Sequence, residues 1–134
     1  MENSSYSWYM QLKKPDWAPP GWVFGPVWSF LYLIIAISFG YVFYLAIKKK
    51  IPGRAALPFI LNLIFNFAFT PLQFGLRSNI LAAIDVILVL LTLIWSLVRI
   101  RPLLPWVALV NLPYLLWVSF ATILQLTITW LNLK

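Results

Sequence analysis

Three kinds of side chain in this sequence can do chemistry in an apolar setting: indoles, carboxamides and one carboxyl group. Trp28 falls two turns into the first long apolar run and Trp117 lies in the last one. Indole is flat and oxidisable, and it carries a single N–H donor. Asn62, Asn66 and Gln73 recur at offsets of four and seven, which on a helix sets them on one stripe with Phe69 among them. Such a stripe either bonds across helices, at about 1 kcal/mol or less per bond, or forms the polar wall of a ligand cavity. Three amides on one line exceed what packing needs, so a cavity wall is the expectation. Asn111, Tyr114, Val118, Ala121 and Gln125 form a second stripe with Trp117 on its shoulder, and the small Ser119, Ala121 and Thr122 leave room beside that ring. Aromatic lining with a few placed polar groups is the make-up of a small-molecule pocket, and flat, conjugated or sterol-like ligands suit it.

Asp85 is the one acid expected inside an apolar run; Glu2 and Asp16 precede the first of them. Ionised and unpaired within lipid it would cost several kcal/mol, so it must be neutral, hydrogen-bonded or paired. Arg77, Asn62 and Asn66 are the candidate partners. A proton-coupling group and a structural acid near the interface are the two roles open to it. The chain has neither Cys nor His, which removes disulfides, thiol chemistry and the usual zinc and haem-iron ligands. No metal site is expected. A tetrapyrrole would be held by its rings and carboxylates, the latter met at the rim by Lys13, Lys14 or Arg77.

Positioning these groups falls to membrane helices. The chain has 134 residues, 63% of them hydrophobic and 10% charged, with mean hydropathy +0.89. That composition belongs to a multi-pass membrane protein and to a single domain over 1–134. Apolar runs predict helices at about 20–47, 55–74, 80–98 and 103–131, because in lipid the backbone must satisfy its own hydrogen bonds. The fourth is read as one helix with Pro105 early and Pro113 inside it. Residues 1–19 read as an interfacial lid, rich in aromatic side chains (Trp8, Tyr9, Trp17) and closed by Pro19-Pro20, which opens the first helix. The net charge of +7 is no nucleic-acid footprint, because the cations sit in the connections. Lys48, Lys49, Lys50, Arg54, Arg99 and Arg101 share one side; Lys13, Lys14, Arg77 and Lys134 share the other. The larger group marks the cytoplasmic side, with both termini outside.

The residues also carry a family resemblance. Trp8-Tyr9, Leu12-x-Lys14-Pro15-x-Trp17-x-Pro19-Pro20, Phe24-x-x-x-Trp28-x-x-Leu31-Tyr32, Leu61-Asn62 with Asn66, Asp85, and Pro113-Tyr114-Leu115-x-Trp117-x-x-Phe120-Ala121-Thr122 span nearly the whole chain. The chain resembles the TspO/MBR family, the tryptophan-rich sensory proteins, translocator proteins and peripheral benzodiazepine receptor relatives. The resemblance implies an all-α membrane bundle, often a homodimer, around a pocket for porphyrins, sterols or isoquinoline-type drugs, in a prokaryotic cell membrane for a chain of this kind. Carried over by position, Tyr9, Trp28, Asn62, Asn66 and Trp117 match pocket positions, while Pro19 and Ala121 match flanking contacts. With Phe69, Asp85 and Tyr114 from the stripes, these are the expected ligand-binding residues. The family usually has five transmembrane helices, the first ahead of the Trp-Tyr lid. Only seven residues precede Trp8, so the expectation is the bundle of four, lacking that first helix. The tyrosine of the family's C-terminal sterol pattern is also missing after Thr122, and that pattern is weak in any case.

The preferred function on these grounds is a membrane receptor or binding protein for porphyrin-like ligands, with no resident cofactor, acting in sensing, regulation or transport. Its partners would be the bilayer, a tetrapyrrole or sterol-like molecule and a second copy of itself. One alternative is light-dependent porphyrin degradation, resembling that of some bacterial members, with Trp28 and Trp117 as the only catalytic candidates. The other is a small proton-coupled exporter using Asp85.

Overall fold

The computed structural model describes residues 12–18 and 21–132 and is helical throughout, with no strand among the described residues. After a 3-10 turn at Gly21–Val23 come α1 (Phe24–Ile47), α2 (Leu57–Thr70), α3 (Asn79–Ile100), α4 (Pro105–Val110) and α5 (Leu112–Leu131). A 3-10 turn at Gly53–Ala55 leads into α2, and a π turn at Pro71–Gly75 extends it. Four of these segments, Phe24–Ile47, Gly53–Gln73, Asn79–Ile100 and Leu112–Leu131, are long and apolar enough to cross a membrane. The 24 residues of α1 span about 36 Å, enough for a hydrocarbon core of ~30 Å with some tilt. Only a third to a half of each span's most apolar stretch is buried. The outward remainder, with Leu33, Ile37, Phe67, Leu91 and Leu116 all more than half exposed, suits lipid and would be unsustainable in water.

Local chemistry sets the ends. Pro26 falls in the first turn of α1, where the backbone N–H has no helical partner to lose. The C-terminus of α1 closes with Lys49 in the left-handed region at φ 60°. There the Lys50 N–H donates to Leu45 O at 2.9 Å and the Lys49 N–H to Ala46 O at 3.1 Å, the paired bonds of a Schellman turn. Ser78 caps α3, its hydroxyl accepting from the Leu81 N–H at 3.1 Å. Pro71 explains the π turn: it cannot donate to the preceding turn, and the register widens so that the Leu76 N–H donates to Pro71 O at 2.9 Å.

The expected single helix over 103–131 is instead two, α4 and α5, meeting at Asn111. Pro113 has no N–H for the carbonyl of Leu109, and its ring crowds the preceding turn. The chain yields at Asn111 (φ −93°, ψ 5°), and the Asn111 side chain repairs the break by donating to Val107 O at 2.8 Å. The same amide donates to Ser38 Oγ on α1 at 2.9 Å, which ties the break to a neighbouring helix.

Helix α3 packs closely against both α2 and α5, whereas α1 meets α2 and α5 largely through rings. Phe39 stands edge-on to Phe59 at 4.7 Å between centroids and lies 6.3 Å from Tyr114. Large side chains hold helix axes apart. Near its N-terminus α1 therefore leaves a space beside α5 rather than a seam.

Candidate ligand-binding site

That space is a cavity of about 430 Å³, within the ~300–1,000 Å³ range of small-molecule sites. Four helices wall it: Phe24, Gly25, Trp28 and Tyr32 from α1; Asn66, Phe69 and Thr70 from α2; Val86 and Val89 from α3; Trp117, Val118, Ala121, Leu124, Gln125 and Ile128 from α5. Trp28 and Trp117 thus come from opposite ends of the chain to one cavity. Around them the Phe24 ring lies edge-on to Trp117 at 5.7 Å, and Trp28 lies 5.3 Å from Tyr32 and 6.4 Å from Tyr114. The Trp117 indole N–H is buried and donates to no acceptor among the described residues.

A chain of hydrogen bonds stiffens the wall. Tyr32 OH donates to Asn66 Oδ1 at 2.9 Å, and Asn66 Nδ2 donates to Tyr114 OH at 2.8 Å. Tyr114 OH donates in turn to Asn62 Oδ1 at 2.8 Å, and Asn62 Nδ2 reaches Val89 O at 2.9 Å and Thr92 Oγ1 at 3.2 Å. Four helices are joined by this relay. An amide has two donors and an oxygen with two lone pairs. Asn66 therefore keeps one N–H and one lone pair for a ligand at the wall, with its orientation fixed by two tyrosines.

The sequence-derived candidates divide accordingly. Trp28, Asn66, Phe69, Trp117 and Ala121 line the cavity. Tyr9 and Pro19 lie outside the described residues. Asn62 and Tyr114 do not line it: both are fully buried behind the wall and act through Asn66. Asp85 is also off the wall. It is buried one position before Val86, a rotation of about 100° on a helix, and its Oδ2 has no hydrogen-bond partner among the described residues. Asn62 and Asn66, two of its expected partners, bond instead to Val89, Thr92, Tyr32 and Tyr114. Gln73 leaves the amide stripe as well, because the π turn rotates it toward α3, where its Nε2 donates to Asn79 Oδ1 at 3.0 Å. Tyr32 and Phe24 were not foreseen as wall residues. Their spacing of four on either side of Trp28 was the available signal.

The described part of the lid lies at this end of the bundle. Asn132, just past α5, holds the backbone of Lys13 on both sides: the Lys13 N–H donates to Asn132 Oδ1 at 3.2 Å and Asn132 Nδ2 donates to Lys13 O at 3.0 Å. Trp17 meets Phe120 edge-on at 5.9 Å, and Phe120 lies 5.5 Å from Trp117. Lys14 is partly desolvated, which lowers its pKa from the usual lysine value.

The profile of the TspO/MBR family matches residues 1–131. The chain belongs to the TspO/MBR family. Among its relatives, the tryptophan-rich protein TspO of Chlorobaculum tepidum is 32% identical over 127 residues, covering 94% of this chain and 80% of the relative. The tryptophan-rich protein TspO of Bacillus cereus is 36% identical over 126 residues, covering 94% and 81%. The human translocator protein is 37% identical over 124 residues, covering 88% of this chain and 70% of its own length. As a TspO/MBR protein with four candidate membrane spans the chain is an integral membrane protein, and its bacterial relatives support a prokaryotic one.

Proposed function

We propose that this TspO/MBR protein is a membrane receptor for a flat, hydrophobic, tetrapyrrole-like ligand, held between α1 and α5, in a sensory or transport role. The observation that carries the reading is the convergence of Trp28 and Trp117 on one cavity beside a wall amide with unused bonding capacity. Indole faces stack on an extended π system, and offset or edge geometries at ~4.5–7 Å are favourable. The Asn66 amide and the Trp117 N–H offer polar contacts to ring nitrogens or edge substituents. Lid lysines near the aqueous surface suit the carboxylates of such a ligand.

Protoporphyrin binding in detergent, followed by the shift of its Soret band and by quenching of tryptophan emission, tests this. Saturable binding is expected, weakened at least tenfold in Trp28→Ala and in Trp117→Ala and partly restored in Trp28→Phe. Affinity unchanged in both alanine variants would end the reading.

A further inference from the structure

At the end of the bundle away from the lid, the turn between α1 and α2 forms an open surface cleft. It has a volume of about 570 Å³ and is lined by Ala46, Lys49, Lys50, Ile51, Pro52 and Gly53. We propose that this cleft is a binding site for the phosphate headgroup of an anionic phospholipid.

Charge is the first argument. Lys48, Lys49, Lys50 and Arg54 of this turn, with Arg99 and Arg101 at the end of α3, are all exposed. The two basic segments belong to one end, because successive spans joined by short turns alternate in direction, and the Gly53–Ala55 turn packs against α3. None of the chain's three acids, Glu2, Asp16 and Asp85, belongs to either basic segment, and among the described residues no carboxylate is paired with these cations. Orientation by positive charge requires only that cations be on this side; it does not require two of them to line a concave site.

Backbone geometry is the second. The left-handed Lys49 and the Schellman bonds bend the chain back sharply at the helix end. Successive lysines are thereby brought to the wall of one cleft, instead of projecting 100° apart from a continuing helix. Pro52 and Gly53 complete the opposite wall.

The surroundings choose a lipid over a free anion. Ile47 is 78% exposed and Leu57 46% exposed on either side of the turn, so the apolar faces of α1 and α2 begin where the cleft ends. A headgroup in the cleft would direct its acyl chains down those faces. Tyr44, exposed and with the Lys48 ammonium 5.9 Å from its ring centroid, marks the same headgroup level. Juxtamembrane basic clusters attract anionic lipid by roughly fivefold per cation.

This assignment is independent of any ligand in the cavity beneath the lid. Native mass spectrometry of the full chain, titrated with phosphatidylglycerol or phosphatidylcholine of equal acyl length, reads it directly. The expected result is a preference for phosphatidylglycerol of the order of twentyfold from two lysines, falling to near unity in Lys49→Gln/Lys50→Gln. The preference should survive in Lys49→Arg/Lys50→Arg, which keeps the charge, and in Lys13→Gln at the opposite end. Excess glycerol 3-phosphate should not displace the lipid. Equal binding of the two lipids, a preference that persists in the glutamine pair, or displacement by glycerol 3-phosphate would each overturn the proposal.

Discussion

Tyr114 shows how a residue can shape a candidate site without lining its cavity. Its hydroxyl accepts from Asn66 and donates to Asn62, both at 2.8 Å, in a fully buried position. Removing one partner of a buried bond costs about 1–3 kcal/mol, because the other is left unsatisfied. Tyr114→Phe orphans an Asn62 carbonyl and loosens Asn66. It should lower the thermal midpoint and weaken porphyrin binding several-fold, whereas Asn62→Ala should give a similar pair of losses without any contact to the cavity. Thermal unfolding and titration of the same preparations check both. Asp85 makes the contrast. It is buried but off the wall, so Asp85→Asn should leave porphyrin affinity within about twofold of wild type. A large loss would mean that its carboxyl reaches the ligand. Lys49 offers a gain: a non-glycine residue in the left-handed region costs about 1–2 kcal/mol. Lys49→Gly, at φ 60°, should raise stability by about 1 kcal/mol in a reversible unfolding titration.

The helices were legible in the sequence for the reasons that make membrane helices legible generally. Long apolar runs bounded by Lys48-Lys49-Lys50 and by Arg99-Ile100-Arg101 admit one reading. The observed α3, Asn79–Ile100, lies within two residues of the expected 80–98 at each end. What hydropathy does not encode is the interruption of a helix whose composition stays apolar. The break at Asn111 and the π turn at Pro71 arise from prolines deep in such runs, and their consequences depend on which neighbour repairs the backbone. The site divides along the same line. Residues on regular helix, such as Trp28, Asn66, Phe69, Trp117 and Ala121, share one cavity, as periodicity and motif lead one to expect of a common face. Gln73 was misplaced because a widened turn lies between it and Asn66. Asn62 and Asp85 depended on the rotation of one helix against others, which periodicity leaves free. Asn132 carries no sequence signal, since a lone amide at a helix end has no pattern. Its two bonds to Lys13 suggest a direct measurement at this scale. Asn132→Ala should speed porphyrin dissociation in stopped flow more than it weakens equilibrium binding, because the lid is released while the cavity wall remains.

Across the whole molecule, the balance of packing is uneven by construction. Helix α3 packs closely against α2 and against α5, and α1 is joined to them by rings, by the Tyr32–Asn66 bond and by the Asn111–Ser38 bond. The cavity is the cost of that looser seam, since its lining forgoes contacts that a packed interior would make. A ligand that fills it should therefore act as structural material. Binding to the folded state alone stabilises by about 2.7 kcal/mol at a hundredfold excess over the dissociation constant, which is enough to move a thermal midpoint by several degrees. Filling the space covalently should mimic this. A Cβ added at Gly25 meets nothing within 4 Å, and Ala121 faces the same cavity from α5. Gly25→Leu and Ala121→Phe should each raise the unliganded midpoint and reduce or abolish the further rise on adding porphyrin. Differential scanning fluorimetry in detergent, read at several porphyrin concentrations, separates the two effects. A variant that is stabilised yet responds to porphyrin as strongly as the wild type would place the ligand outside this cavity, and the indole pair would then be packing rather than recognition.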